Sequence, residues 1–431
     1  MRWEILFLVV FLATFLGKKA LAQGSAPDAL SDEVPSIREL AKWPPPRFVL
    51  GDTEHRLRIE WVTQLRGEVT SRGDAEGASV GVRRMRVRFR GEIARNLVRP
   101  FLQLDLGPNR GAELLDLMVD IRLAETWHLR FGQWKVPFTR WRTNSFARQA
   151  AVEWAPVLLW FGSERQLGFA LHNGSERAPE GLDLEGGVFT GTNARPTHGN
   201  GVAIVSGEPV PGHSSLAGRN EAPRIHPELV MRLGWNAPGA AMHEEFDRER
   251  SQSFRPAVHL SFAWDLRADP WRDFAMRIAP EVWMKYAGFS LLGIGFWGLR
   301  ARPPSPHALS GPFDLGGLAA QGLLAQLAYR FEAELGLALR VSWVWVDVGF
   351  AEEAKKRAEE QIAAHADNPS VAERYQNAGR LLEEGEILGA FVWDLWPGVC
   401  RLGLDLAFLF WRRESGTEEG LRGRMQFQLA L

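Results

Sequence analysis

The chain has 431 residues, with 51 Lys+Arg against 52 Asp+Glu, a formal net charge of −1, 45% hydrophobic and 24% charged residues. That apolar content and low net charge exclude global disorder, the lack of a basic excess argues against a nucleic-acid partner, and the missing runs of roughly 20 apolar residues exclude a helical membrane bundle. The composition is still unusual for a water-soluble protein, with 18 Trp and 43 Gly beside one Cys.

The N-terminus has a basic start at Arg2, an apolar run from Ile5 to Leu16, and the small-residue site Ala20-Leu21-Ala22 before Gln23. These are the three parts of a cleaved secretory signal over 1–22. A single membrane anchor is the competing reading, but the apolar run is short for one. Segment 23–54, with Pro44-Pro45-Pro46, is expected to be a periplasmic leader, and 55–431 the folded unit. Cys400 stands alone, so no internal disulfide, CxxC redox pair or zinc-finger spacing is available.

From residue 55 onward the polarity alternates with period two. Arg84, Arg86, Arg88 and Arg90 fall on one strand face, with Met85, Val87 and Phe89 on the other. In 335–345, Leu335, Leu337, Leu339, Val341, Trp343 and Trp345 oppose Gly336, Ala338, Arg340 and Ser342. In 399–411, Leu402, Leu404, Leu406, Phe408 and Phe410 oppose Arg401, Gly403, Asp405 and Ala407. A helix scatters such residues around its axis, while a strand separates them.

A soluble antiparallel sheet and an inverted membrane barrel both produce this alternation. Export, strand lengths of about 9–13 residues, and aromatics near strand ends (Trp235, Trp264, Trp345, Trp393, Trp411) favour the barrel. The expectation is an all-β transmembrane antiparallel β-barrel of about 16 strands: 55–65, 81–93, 97–106, 114–124, 126–135, 165–173, 182–192, 226–235, 256–265, 272–286, 289–299, 321–332, 335–345, 386–395, 398–411 and 421–431. Tight turns alternate with longer connections at 66–80, 136–164, 193–225, 300–320 and 346–385, as short periplasmic turns alternate with long outer loops. Segments 236–255 and 266–271 break that parity. Segment 351–366 is rich in Ala, Glu and Lys and is expected to be a solvated helix inside the long outer loop 346–385.

No nucleophile-elbow, zinc-protease, phosphate-loop or dinucleotide motif occurs in usable context, so no enzyme, cofactor or metal site is expected. A lipase at the membrane interface would need a Ser/His/acid cluster, which the spacing does not offer. The ladder Arg84, Arg86, Arg88, Arg90 places four guanidinium groups roughly 6.6–7 Å apart on one face. An apolar core does not hold such a face, whereas a wet lumen with anions or acidic neighbours does. Rings of Arg confer anion selectivity on pores; the alternative is that the ladder pairs with Glu92, Asp105, Asp116 and Asp120. Loop 136–164 carries Trp141, Trp154 and Trp160 beside its basic groups. Folded inward, it would pack its aromatics on the wall and narrow the pore, with Arg130, Lys135, Arg140, Arg142, Arg148 and Arg165 lining the constriction.

The stretch from RRMRVRFRGEI through FLQLDLG, LMVDIRL, HLRFGQWKVPF and FGSERQLGFALH to LDLEGGVFTGTN resembles the phosphate-selective porins, the O/P porins of bacterial outer membranes. The resembling block is about 82–192, and its most specific piece is R-x-G-x-x-K-x-P-F (Arg130, Gly132, Lys135, Pro137, Phe138). The resemblance implies a sixteen-stranded homotrimeric porin with an inward third loop and a basic ladder conducting phosphate or related anions, set in outer-membrane lipid. A non-selective or structural barrel acting through its surface loops is the alternative.

Overall fold

In a computed structural model the described residues are 48–431 except 52–53, 73–74, 108–111, 164, 175–178, 191–226, 241–242, 267–273, 302–314, 333, 365 and 367–380. The expected signal 1–22, nearly all of the expected leader 23–54, and the expected loop 193–225 lie outside them.

The strands in chain order are β1 (Phe48–Gly51), β2 (Arg56–Arg72), β3 (Ala75–Glu92), β4 (Val98–Asp105), β5 (Glu113–Arg122), β6 (His128–Lys135), β7 (Arg165–His172), β8 (Gly181–Phe189), β9 (Glu228–Asn236), β10 (Arg255–Asp265), β11 (Phe274–Tyr286), β12 (Phe289–Ala301), β13 (Leu315–Arg330), β14 (Leu335–Val346), β15 (Leu381–Trp396), β16 (Cys400–Arg413) and β17 (Gly416–Ala430). From β2 to β17 each strand pairs antiparallel with the next, and β17 returns to pair with β2 from Gly420↔Arg72 to Ala430↔Val62. The result is a closed sixteen-stranded antiparallel barrel, the one sheet form besides a helix that leaves no unpaired backbone in hydrocarbon. The short β1 continues the same edge of β2, pairing Phe48↔Ile59 to Gly51↔Arg56.

The wall is inside-out relative to a soluble protein. On β16, Leu406 is 64% exposed while its neighbour Asp405 is 5% exposed. On β14, Leu339 is 54% exposed and Arg340 is 1% exposed. Apolar side chains therefore face outward and charged ones inward, as a barrel in lipid requires. Among the described residues no helix is long and apolar enough to cross a membrane.

The sixteen expected strands are all present, with shifted ends. Segment 66–80, expected to be a long loop, instead extends β2 and β3 into a continuous hairpin that pairs residue for residue up to Arg72↔Ala75. Its Gly, Ser, Thr and charged residues hide the alternation, because neither face there has to be apolar. The helix α3 (Val348–Ala364) forms where the Ala/Glu/Lys segment predicts it, docked by its buried Phe350, Ala351 and Ala354.

Candidate functional site: a crossed lumen and an arginine column

Loop 136–164 leaves β6, makes helix α1 (Arg140–Thr143), a 3-10 turn (Phe146–Arg148) and helix α2 (Pro156–Phe161), and then rejoins the wall at β7. Its partners lie all round the barrel. On β11, Glu281 accepts from the Arg140 and Trp141 amides at 2.8 and 2.9 Å. On β14, Arg340 donates to Glu153 O at 2.9 Å, and on β16 Arg401 donates to the carbonyls of Ala147 and Gln149, both at 3.0 Å. On β15, Glu384 accepts the Trp160 indole at 2.7 Å. A segment bonded to such separate strands of a closed barrel must run through the lumen. Its aromatics do pack on the wall: Trp141 and Trp160 are fully buried, and Phe161 stacks on Phe274 and Phe296 at 5.2 and 5.3 Å.

The R-x-G-x-x-K-x-P-F piece launches this loop. Arg130 grips Asp120 with two hydrogen bonds of 2.6 and 2.9 Å. Gly132 has φ +123°, and a Cβ there would meet Leu117 O at 2.2 Å, so glycine is required. Lys135 Nζ donates to Asn144 O at 2.7 Å and Arg142 O at 3.3 Å, satisfying carbonyls at the end of α1. Phe138 is buried with the Arg277 guanidinium 5.0 Å from its ring.

The ladder stands on the lumen face, and each rung has a neighbour. Arg84 bonds Glu153 at 2.8 Å and Gln64 at 2.9 Å. Arg86 bonds Asp105 at 2.8 Å, and Arg88 bonds Gln103 at 2.7 Å. Arg90 bonds Glu60 at 3.2 Å. Phe146 of the loop lies 5.1, 4.5 and 5.4 Å from the guanidiniums of Arg84, Arg86 and Arg88, within cation–π range. A bulge between Gln64 and Leu65 in the β2–β3 register also turns Arg83 inward, so that it bonds Glu153 at 2.6 Å.

Two carboxylates are shared among several cations. Glu153 lies 2.8, 2.6 and 2.8 Å from Arg66, Arg83 and Arg84. Glu60 lies 4.0, 3.8 and 3.2 Å from Arg58, Arg88 and Arg90. Burial alone would raise the Glu153 pKa, but Arg84, Arg83 and Arg66 outweigh it and hold the carboxyl well below its usual range. The other expected constriction residues divide. Arg165 pairs with Asp116 at 2.9 Å, Arg140 is buried with Asp183 at 3.9 Å, and Arg142 lies 5.2 Å from the Trp154 ring. Arg148 is exposed. Of the acids named as partners in the sequence, Asp105, Asp116 and Asp120 pair with Arg86, Arg165 and Arg130, while Glu92 pairs with Arg58 at 3.4 Å.

The residues the sequence did not single out are Glu60, Glu153 and Phe146, together with the 236–255 segment, which it flagged only as too long for its side of the barrel. Among the described residues no group of three His, Cys, Asp or Glu is placed to hold a metal ion.

Residues 55–214 match the family model described as phosphate-selective porin O and P. The structure is similar to the anion-selective porin from Comamonas acidovorans (TM-score 0.52, 10% identity, 88% of this chain and 100% of that one). It is also similar to the outer membrane channel DcaP of Acinetobacter baumannii (TM-score 0.51, 10% identity, 88% and 99%), and to Salmonella typhi OmpF in complex with daunomycin (TM-score 0.51, 12% identity, 89% and 100%). At these identities the likeness is one of fold. No curated protein matches the sequence. The family match over 55–214 and the closed barrel fold together support an outer-membrane porin channel.

Proposed function

We propose that this porin barrel passes anions by diffusion across the bacterial outer membrane, with phosphate or polyphosphate as the permeants that suit it best. The observation that carries the reading is the sign of the β2–β3 wall. Arg56, Arg58, Arg66, Arg83, Arg84, Arg86, Arg88 and Arg90 face Glu60, Glu68, Glu92, Asp105 and Glu153. The column is short of negative charge even though the chain as a whole carries a net charge of −1. Guanidinium forks suit phosphate and carboxylate oxygens, and a passing anion supplies the charge that the shared carboxylates leave unmet. The description of the matching family and that of the Comamonas neighbour point the same way. Export through a cleaved signal and assembly as a homotrimer belong to this reading.

The second reading, a non-selective barrel with a neutralised lumen, is favoured by one observation. Every rung of the ladder has a carboxylate or amide partner. Reversal potentials of single channels in a salt gradient decide between the two. Anion preference, stronger in phosphate than in chloride, is expected, and cation preference or the absence of conductance removes the proposal. The double variant Arg86→Gln with Arg88→Gln should keep the barrel folded and lower the anion-to-cation permeability ratio. Each charge is worth roughly fivefold if it contributes about 1 kcal/mol at contact distance in water. An unchanged ratio takes the ladder out of the mechanism.

A further inference from the structure

The constriction loop does not cross the lumen alone. The β9–β10 connection starts from the opposite end of the barrel, the end of the tight turns, and within its residues 243–254 Glu245, Phe246 and Asp247 fold inward and are buried, while Gln252, Ser253 and Phe254 are exposed on the return to β10. Phe246 is buried against Ala328, Ala338, Leu388, Ala390 and Val392, in the same apolar cluster as Ala150 and Ala151 of the constriction loop. A Cβ on Gly336 would meet the Phe246 ring at 2.6 Å, so the wall is thinned where that ring seats. Charged bonds tie the segment to the wall: Lys285 Nζ donates to Glu244 O at 2.7 Å, Arg248 pairs with Asp394 at 2.8 Å, and Arg255 pairs with Asp247.

The two segments meet at one side chain. The Glu245 carboxylate, 2% exposed, accepts from the Trp141 indole at 2.5 Å, from the Ala150 amide at 2.8 Å and from Gln326 at 2.9 Å. The first two donors belong to the constriction loop, and the third to β13. Such burial of a carboxylate is costly unless its oxygens are satisfied, and here the donors that satisfy it are the groups that fix the loop. We propose that residues 243–254 form a second constriction element, and that Glu245 is the positioning residue that holds loop 136–164 at its working width. Arg84, Arg86 and Arg88 set the sign of the pore; Glu245 sets how far Phe146 and Arg148, on the same loop, stand from them. The inference rests on reading the lumen as the conducting path.

The test uses full-length protein in planar bilayers, with peptide-level hydrogen exchange on the same preparations. Glu245→Ala should raise single-channel conductance and open-channel noise while keeping the anion preference. Peptides containing Ala150 should exchange at least ~10-fold faster, the factor that goes with losing one hydrogen bond to a charged group. Glu245→Gln retains one acceptor oxygen and should fall between. Gln326→Ala, which frees only the wall contact, should raise the noise alone. A merely structural role would lower the yield of heat-modifiable barrel without altering the channels that do form. A folded Glu245→Ala channel with wild-type conductance, noise and exchange overturns the proposal. Should that variant not fold, wild-type behaviour of both Glu245→Gln and Gln326→Ala overturns it equally. If the wild-type protein does not conduct, the functional proposal falls by itself, and exchange at Ala150 still decides whether Glu245 pins the loop.

Discussion

Single residues show how far type and face could be read without partners. The Arg ladder is legible because its alternation is local, over seven residues. Of its counter-charges only Asp105, on the adjacent strand, was legible; Glu153 sits 69 positions from Arg84 and Glu60 sits 30 from Arg90. Lys135 illustrates the same gap. Its charge marks it as pore-lining, but its ammonium is spent on the carbonyls of Asn144 and Arg142. His243 is informative in another way. Burial and the neighbouring Arg148 lower its pKa to about 4, with Lys285 and Arg140 adding to the depression and Glu244 opposing it. The folded value lies below the ordinary one, so the folded protein binds the proton less readily than the unfolded chain. The anchorage of the segment is therefore complete above about pH 6.5 and weakens as pH falls toward 4. Protonation also adds a positive charge beside Arg148. The expected outcome is an anion permeability ratio that is level from pH 7 to 5 and rises as pH passes through about 4. Comparison with His243→Gln isolates the effect, since the acidic side chains titrate in both proteins. Identical profiles exclude His243 from the lumen electrostatics.

At the level of elements, strands were legible wherever one face must meet lipid and the other water. The contrast is clear on strands such as β14 and β16 and lost on β12, whose inward side chains Leu292, Ile294 and Phe296 are apolar and buried. The contrast fades in 66–80, which is why the long β2–β3 hairpin read as a loop. The inward course of 136–164 was legible from its excess of aromatics over what water tolerates. The course of 243–254 was not, because Phe246 is its only large buried apolar residue and the wall that receives it draws Ala328, Ala338, Leu388, Ala390, Val392 and Gly336 from three different strands. Gly132 lies within β6, four residues before the loop leaves it, and its positive φ and contact with Leu117 O leave no room for a side chain. Gly132→Ala should cost at least about 1–3 kcal/mol, the range for a residue held in a disfavoured conformation. The shift of gel mobility from folded to unfolded barrel should then occur at a lower temperature. Because Lys135, which holds the loop, follows three residues later on the same strand, channels of the variant that do fold should also be noisier. A wild-type transition would mean that β6 relaxes around the added methyl group.

For the molecule as a whole, the near-zero net charge and modest apolar content describe two surfaces averaged together. Outside, alternate residues such as Leu339 and Leu406 form an apolar band; inside, Arg340 and Asp405 are buried and paired, Arg340 with Glu386 at 2.8 Å and Asp405 with Arg424 at 2.7 Å. The same exposure numbers lead to opposite expectations in the two media. In a soluble protein a residue 64% exposed, such as Leu406, accepts a charge with little effect on stability. In a bilayer, Leu406 lies near the middle of β16, and Leu406→Arg should cost about 2–4 kcal/mol, the penalty for arginine on the lipid face near the midplane. Leu406→Phe should cost almost nothing. Folded fraction against denaturant in lipid vesicles measures both. If Leu406→Arg folds as well as the parent, that face stands in water, and the barrel is not embedded as its alternation requires. If it is destabilised while Leu406→Phe is not, hydrocarbon contacts the outer wall at the centre of β16, and the ion pairs and loop segments packed inside have only the lumen to occupy.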